Sequence, residues 1–214
     1  MGRKPKRQTR ERILETALTL FNTYGEPGVT TTAIAVDMGI SPGNLYYHFH
    51  SKDEIIEELF AAFRRQIDET LSAPERHPPH AEDVWLFMHL VFEAIWKYRF
   101  LYRDLNELLS RSRALELQFK AILAHMTETA AAILEGLVVA GDMHATRDEI
   151  ERMAVNMTVI ATYWLSYEFA REPRAEQNGA TLARGAVHVL SLAAPHLEPR
   201  ARALFDHLAE RYLS

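Results

Sequence analysis

The sequence predicts an all-α protein of nine to ten helices, and three observations predict it. Apolar residues recur at the spacing of one helical face in the strongly patterned segments, while no stretch alternates as a strand would and no repeat of about 20 to 50 residues stands out. Capping residues stand at the mouths of several of these segments. Near the amino terminus, Thr31 to Phe49 (TTAIAVDMGISPGNLYYHF) reads as two short helices joined by a tight turn, followed by a larger helical body.

The first helix is expected from Thr9 to Tyr24, where Ile13, Leu14, Ala17, Leu18, Leu20, Phe21 and Tyr24 recur at helical spacing and Gly25 stands at a helix end. The GEPGV segment turns the chain, and Thr30 or Thr31 can cap the second helix. Ala35 is the small residue where the short helices cross, Gly39 is free to take positive φ at the turn, and Leu45 anchors the next helix from inside. Ile34, Met38 and Ile40 complete the buried side. Ser41 can cap the third helix, Pro42 suits its first position, and a residue before proline is held extended, as a cap should be. Pro42, Gly43, Asn44, Tyr46, Tyr47 and His48 are left on the outer side of a helix that fits a DNA major groove. An ordinary helical hairpin with half-buried tyrosines has the same spacing. Ser51-Lys52-Asp53-Glu54 is a capping box opening a fourth helix that reaches about Leu71, and it places Lys52 where a phosphate would meet the helix amino terminus.

Residues 73 to 83 (APERHPPHAED) form a connection or exposed bend; His77 and His80 lack helical geometry and a third ligand, so no metal site is expected. Val84 to Leu101 is apolar except for a stripe of His89, Glu93 and Lys97, which with Arg99 argues against a membrane span. Trp85, Met88, Phe92 and Trp96 share a face that either packs centrally or walls a cavity. A short helix follows at 101 to 112, where Arg103 and Asp104 form a structural pair or bend, and a longer one at Leu115 to Ala140. The charge-free run from Met153 to Tyr167 is too short to cross a bilayer and should meet a pocket or a second subunit. Ala180 to Ala194 is rich in Ala and Gly, which permits close helix approach, and a last helix runs from Pro199 to Leu213. His125, Asn156 and Tyr163 are candidate polar contacts for a ligand, or plain packing.

Composition bounds the function. The chain has 214 residues, 48% of them apolar, enough for a sizeable core, and no cysteine, which excludes disulfides and thiolate metal sites. No apolar segment follows the basic start, so a secretory signal is not expected and a cytoplasmic location is. The net charge of -5 hides a division: residues 1 to 12 carry six basic side chains and one acid, while the remainder holds 18 basic and 28 acidic residues. A basic arm directly before the short helix pair concentrates attraction for phosphate at one end, unless it is simply a solvated tail.

Residues 10 to 60 resemble the amino-terminal domain of the TetR family of bacterial transcriptional regulators. The resemblance rests on RILETALTLFNTYG, a threonine pair ahead of the short helices, and GISPGNLYYHFHSKDEI. It implies that Thr31 and Thr32 begin the helix that braces the recognition helix. It also implies that Pro42, Gly43 and Asn44 face bases, and that Tyr46, Tyr47, His48 and Lys52 lie along the phosphate backbone. Beyond that segment the resemblance is one of layout, with RFLYRDLNELL similar to one carboxy-terminal subtype. The implied organisation is a disordered basic arm at 1–8, a three-helix helix-turn-helix domain at 9–55 and a helical effector-binding and dimerisation domain at 56–214. The implied function is a repressor that binds a palindromic double-stranded operator as a homodimer, paired through its two long carboxy-terminal helices, and is released by a small apolar effector. Two recognition helices are also what specificity requires, because one reads too few base pairs. Neither a nucleophile elbow, a phosphate-cradling glycine loop nor a zinc-binding HExxH is present, so a helical enzyme is disfavoured and no cofactor is expected. A head that binds protein instead of DNA is the other alternative.

Overall fold

A computed structural model describes residues 5–72, 81–173 and 178–213. Among them are eleven α-helices: α1 (Pro5–Tyr24), α2 (Thr31–Asp37), α3 (Pro42–His48), α4 (Lys52–Leu71), α5 (Ala81–Lys97), α6 (Arg99–Arg103), α7 (Leu105–Arg111), α8 (Arg113–Ala140), α9 (Arg147–Arg171), α10 (Gly179–Ser191) and α11 (Pro199–Leu213), with a 3-10 turn at Ala194–His196. The count exceeds the expected nine to ten because the segment after α5 is broken at Asp104 into two short helices. Helix α1 begins at Pro5, so the end of the expected disordered arm is helical; the arm's first residues and the connection carrying His77 and His80 lie outside the described residues.

The chain divides into two compact units, Met1–Arg65 with Tyr98–Glu116, and Gln66–Lys97 with Leu117–Ser214. The division falls inside α4, later than the expected boundary at 55, because the apolar face of α4 belongs to the first core. Ile55, Ile56, Leu59, Phe60 and Phe63 are buried there, and the Phe63 ring meets Tyr98 at 5.6 Å and Tyr102 at 5.7 Å. Segment 98–116, expected in the body, is thereby part of the first unit. Phe100 packs on Phe21 of α1 at 5.2 Å, and its backbone N–H donates to the Asn22 side chain at 3.1 Å.

Tyr102 is buried in this core, and burial pushes its phenol pKa above the usual value near 10. A raised folded pKa contributes stability that is complete below the unfolded pKa and is lost as pH rises towards the folded one. The first unit should therefore weaken above about pH 10, and Tyr102→Phe should remove that component. Urea unfolding of both proteins at about pH 9 and 11 checks this; an equal alkaline loss in the two would refute it.

In the second unit α9 packs closely on α10, and α10 also meets α5 and α11. Gly185 of α10 makes the approach possible, since a Cβ there would lie 2.5 Å from Phe92 and 2.7 Å from Trp164. Helix α9 opens with a capping box in which Thr146 and Glu149 satisfy each other's backbone N–H groups. Helix α8 is long and apolar enough to cross a membrane by length and composition, yet its Phe119, Ile122, Met126, Leu134 and Leu137 are buried in the protein.

Candidate nucleic-acid interface and ligand cavity

The first unit builds a short helix with an apolar underside and a polar outside. The Thr30 hydroxyl accepts the Ala33 N–H at 3.1 Å and so starts α2, and Gly39 at φ +66 turns the chain. The Ser41 hydroxyl then accepts the Asn44 N–H at 3.2 Å, with Pro42 in the first turn of α3. Ile34, Ala35, Leu45 and Phe49 are buried beneath. Pro42, Gly43, Asn44, Tyr46 and Tyr47 are exposed, Tyr47 to 65%. Ser41 and Thr32 are exposed too, and Thr31 and His48 are half-buried. Pro42, Gly43, Asn44, Tyr46 and Tyr47 thus share one accessible surface, Tyr46 at 49% exposure, while His48 of the expected outer set is partly covered.

Arg10 of α1 braces the far end of α3. Its guanidinium lies 4.0 Å over the Phe49 ring, donates to the His48 carbonyl and pairs with Glu58. Helix α4 opens with half of the expected capping box: the Ser51 hydroxyl accepts the Glu54 N–H at 3.2 Å, while the Glu54 carboxylate reaches past Ser51 and accepts the His50 N–H at 2.7 Å.

Lys52 is the departure from expectation. Its ammonium reaches the Glu26 carboxylate at 2.7 Å and donates to the Glu26 and Val29 carbonyls at 3.1 and 3.2 Å. An ammonium has three N–H donors, so these partners use all of them and leave none for phosphate. Glu26 is 0% exposed, and the same carboxylate oxygen accepts from Arg111 of α7 at 3.0 Å. That hydrogen bond, ahead of the pull of neighbouring carboxylates, raises the Arg111 pKa above the usual arginine value. The Glu26 backbone N–H donates to Asp104 at 2.9 Å, which makes Asp104 a support for this turn. Asp104 stands at the expected bend, beside Arg103 at 3.9 Å, but its support of this turn, like Glu26 and Arg111, was not foreseen, because partners so far apart in the chain leave no local pattern.

The second unit contains an apolar cavity of about 80 Å³, below the roughly 300–1,000 Å³ of small-molecule sites. Trp85 and Met88 line it as expected. The others do not: Phe92 is buried against Gly185, Trp96 is half-buried away from the wall, and His125 lies 3.5 Å from Asp68. Asn156 and Tyr163 are exposed on the outside of α9. The cavity takes α5 only as far as Val91, and Met126, Met157, Thr158 and Phe205 supply walls that the sequence did not single out. Among the described residues no group of three His, Cys, Asp or Glu side chains could hold a metal.

The exposed side of α9 carries Val155, Val159, Tyr163 and Tyr167, a row four residues apart, opposite a buried side of Met153, Met157, Ala161 and Trp164.

Comparison with known proteins agrees with this architecture. Residues 13–59 match the family model described as bacterial regulatory proteins, tetR family, and residues 62–205 match that described as bacterial transcriptional repressor. A TetR-family transcriptional regulator from Marinobacter aquaeolei VT8 has a solved structure that superposes with a TM-score of 0.86 at 33% identity, covering 96% of this chain and 99% of that one. Among curated relatives, the uncharacterized HTH-type transcriptional regulator TtgW of Pseudomonas putida is 32% identical over 62 residues, covering 29% of this chain and 46% of that protein. The HTH-type transcriptional repressor KstR2 of Mycobacterium tuberculosis is 37% identical over 75 residues, covering 31% of this chain and 38% of that protein. The chain thus spans less than half the length of these curated relatives.

Proposed function

Because the chain belongs to the TetR family of bacterial transcriptional regulators, we propose that it is a cytoplasmic repressor that binds a palindromic operator as a homodimer and is released by a small apolar effector. The observation that carries this reading is α3, a capped helix whose Pro42, Gly43, Asn44, Tyr46 and Tyr47 are all exposed above a buried Leu45. Asn44 offers both a donor and an acceptor to a base edge, whereas Gly43 has no side chain to read with. Tyr46, Tyr47, Thr31 and Thr32 present hydroxyls for phosphates. Lys52 keeps the turn beneath in place.

Fluorescence anisotropy with random and selected duplexes across a salt series tests the head. Affinity for both should fall linearly on a logarithmic salt scale, with a slope of about -0.9 for each phosphate neutralised. Tyr47→Ala should weaken binding to all duplexes alike, while Asn44→Ala should cost about 1–3 kcal/mol at preferred sequences and flatten the preference. Salt-insensitive or absent association would favour a protein-binding head.

Dimerisation is read onto α9 and α10, since the row from Val155 to Tyr167 is apolar and exposed and α10 beside it is rich in small residues. A charge in that row would be desolvated on pairing. Val159→Glu should shift the protein from dimer to monomer in sedimentation velocity and leave its helix content unchanged. A variant that stays dimeric would move the interface elsewhere. Effector entry, on this reading, acts only through its preference for the conformation that does not bind DNA.

A further inference from the structure

At about 80 Å³ the cavity of the second unit admits an organic molecule only after one of its walls gives way. Helices α5, α8, α9 and α10 reach it with side chains that are buried, among them Trp85, Met126, Met157 and Leu190. Helix α11 is the exposed wall. Among its described residues only Ala201 is buried, and Leu204 and Phe205, which it lays over the cavity, are half-covered.

The two ends of α11 are held differently. Just before it, the His144 N–H donates to the His196 carbonyl at 2.8 Å and the Glu198 N–H donates to the Asp142 carbonyl at 2.9 Å, so backbone bonds fasten the start of the helix to the α8–α9 turn. Its far half is tied to α5 by side chains. The Trp85 ring lies 5.5 Å from both Phe205 and Tyr212, and the Tyr212 hydroxyl is hydrogen-bonded to Nδ1 of His89. On the α10 side the same end borders a groove of about 360 Å³, walled by Ala183, Val187, Tyr212 and Leu213, which leaves it loosely packed there.

We propose that α11 is a hinged wall: it pivots about Leu197 and Glu198, and its far half lifts from α5 when the contacts of Tyr212 with Trp85 and His89 give way. Within the helix Arg202 clasps Asp206 at 2.9 and 3.1 Å, which helps it move as one piece. Neither His89 nor Tyr212 lines the cavity, so this catch sets how often the wall opens without touching a ligand. A site that is open for a fraction of the time loses affinity by that fraction. Loosening the catch therefore tightens binding, the reverse of what damage to the site would do. The inference rests on reading this cavity as the effector site, and it adds the route of entry.

The test uses the full chain and the uncharged fluorophore N-phenyl-1-naphthylamine. Tyr212→Phe should bind it about fivefold more tightly than the parent, and Tyr212→Ala about twentyfold, since the second change removes the ring contact as well as the hydrogen bond. One fluorophore per chain and a cooperative melt in each protein exclude binding to a loosened body. Joining His89→Cys to Tyr212→Cys with a short bis-maleimide, which has no other thiol to react with, should slow binding about tenfold relative to the unjoined double variant. Amide exchange without fluorophore reads the motion itself: the far half of α11 should exchange about tenfold faster in Tyr212→Ala, and α9 at its parent rate. Equal or weaker fluorophore binding in both Tyr212 variants, or undiminished binding in the joined protein, would overturn the hinged wall and leave the cavity as the effector site. Unchanged exchange in α11 would overturn it too. Faster exchange with no fluorophore bound by any of these proteins would uphold the hinge and overturn the effector reading.

Discussion

Lys52→Ala should destabilise the first unit by about 3 kcal/mol, the lower end of the range for removing one partner from a buried ion pair. Glu26 is 0% exposed, and its second carboxylate oxygen has no hydrogen-bond partner among the described residues. Removing the ammonium would leave a buried carboxylate held by Arg111 alone and would take a donor from the Val29 carbonyl and from the Glu26 carbonyl, which keeps the Val29 N–H. Arg111 is partly exposed and remains in place, which is why the loss falls at the lower end. Pairing Lys52→Met with Glu26→Gln removes both charges at similar volume and should recover much of the loss. Urea unfolding of the four proteins of this double-mutant cycle measures the coupling. If Lys52→Ala kept full stability and lost only DNA affinity, the ammonium would serve phosphate after all.

A comparable loss is expected from Gly185→Ala in the second unit, again about 3 kcal/mol, the upper end of the usual cost of overpacking. The added methyl would lie 2.5 Å from the Phe92 ring and 2.7 Å from the Trp164 ring. Neither ring can step aside freely: Phe92 is 1% exposed, and the Trp164 indole donates to the Thr181 carbonyl at 2.8 Å while its face packs on His188. Alanine has the better helix propensity by about 1 kcal/mol, which opposes the clash but is smaller, so the net sign is a loss. Phe92→Leu in the Gly185→Ala background should return part of the stability by making room. A melting temperature equal to or above that of the parent would show that α5 and α9 yield more easily than their packing implies.

Legibility in the sequence followed the range of the interactions. The caps at Ser41 and Ser51, the turn at Gly39 and the outward set from Pro42 to Tyr47 depend on residues within a few positions of one another, and all were readable. The cavity was half readable. Helical spacing grouped Trp85, Met88, Phe92 and Trp96 on one face of α5, but spacing does not say which part of that face a neighbour covers. Close approach of α10 at Gly185 filled the Phe92 end and left the cavity to Trp85 and Met88.

By itself the amino-acid order determined that this protein is helical, where α3 begins and ends, and which side of that helix stays in water. Those properties arise from capping, backbone freedom at glycine and the helical period, which act along the chain. Tertiary structure alone decided that Lys52 neutralises a buried glutamate, that residues 98–116 belong with the first unit, and that, among the described residues, Trp85 and Thr158 supply the polar side-chain atoms of an otherwise apolar cavity wall. Each of these depends on residues remote in the chain meeting where water is excluded, and only packing determines which of them meet.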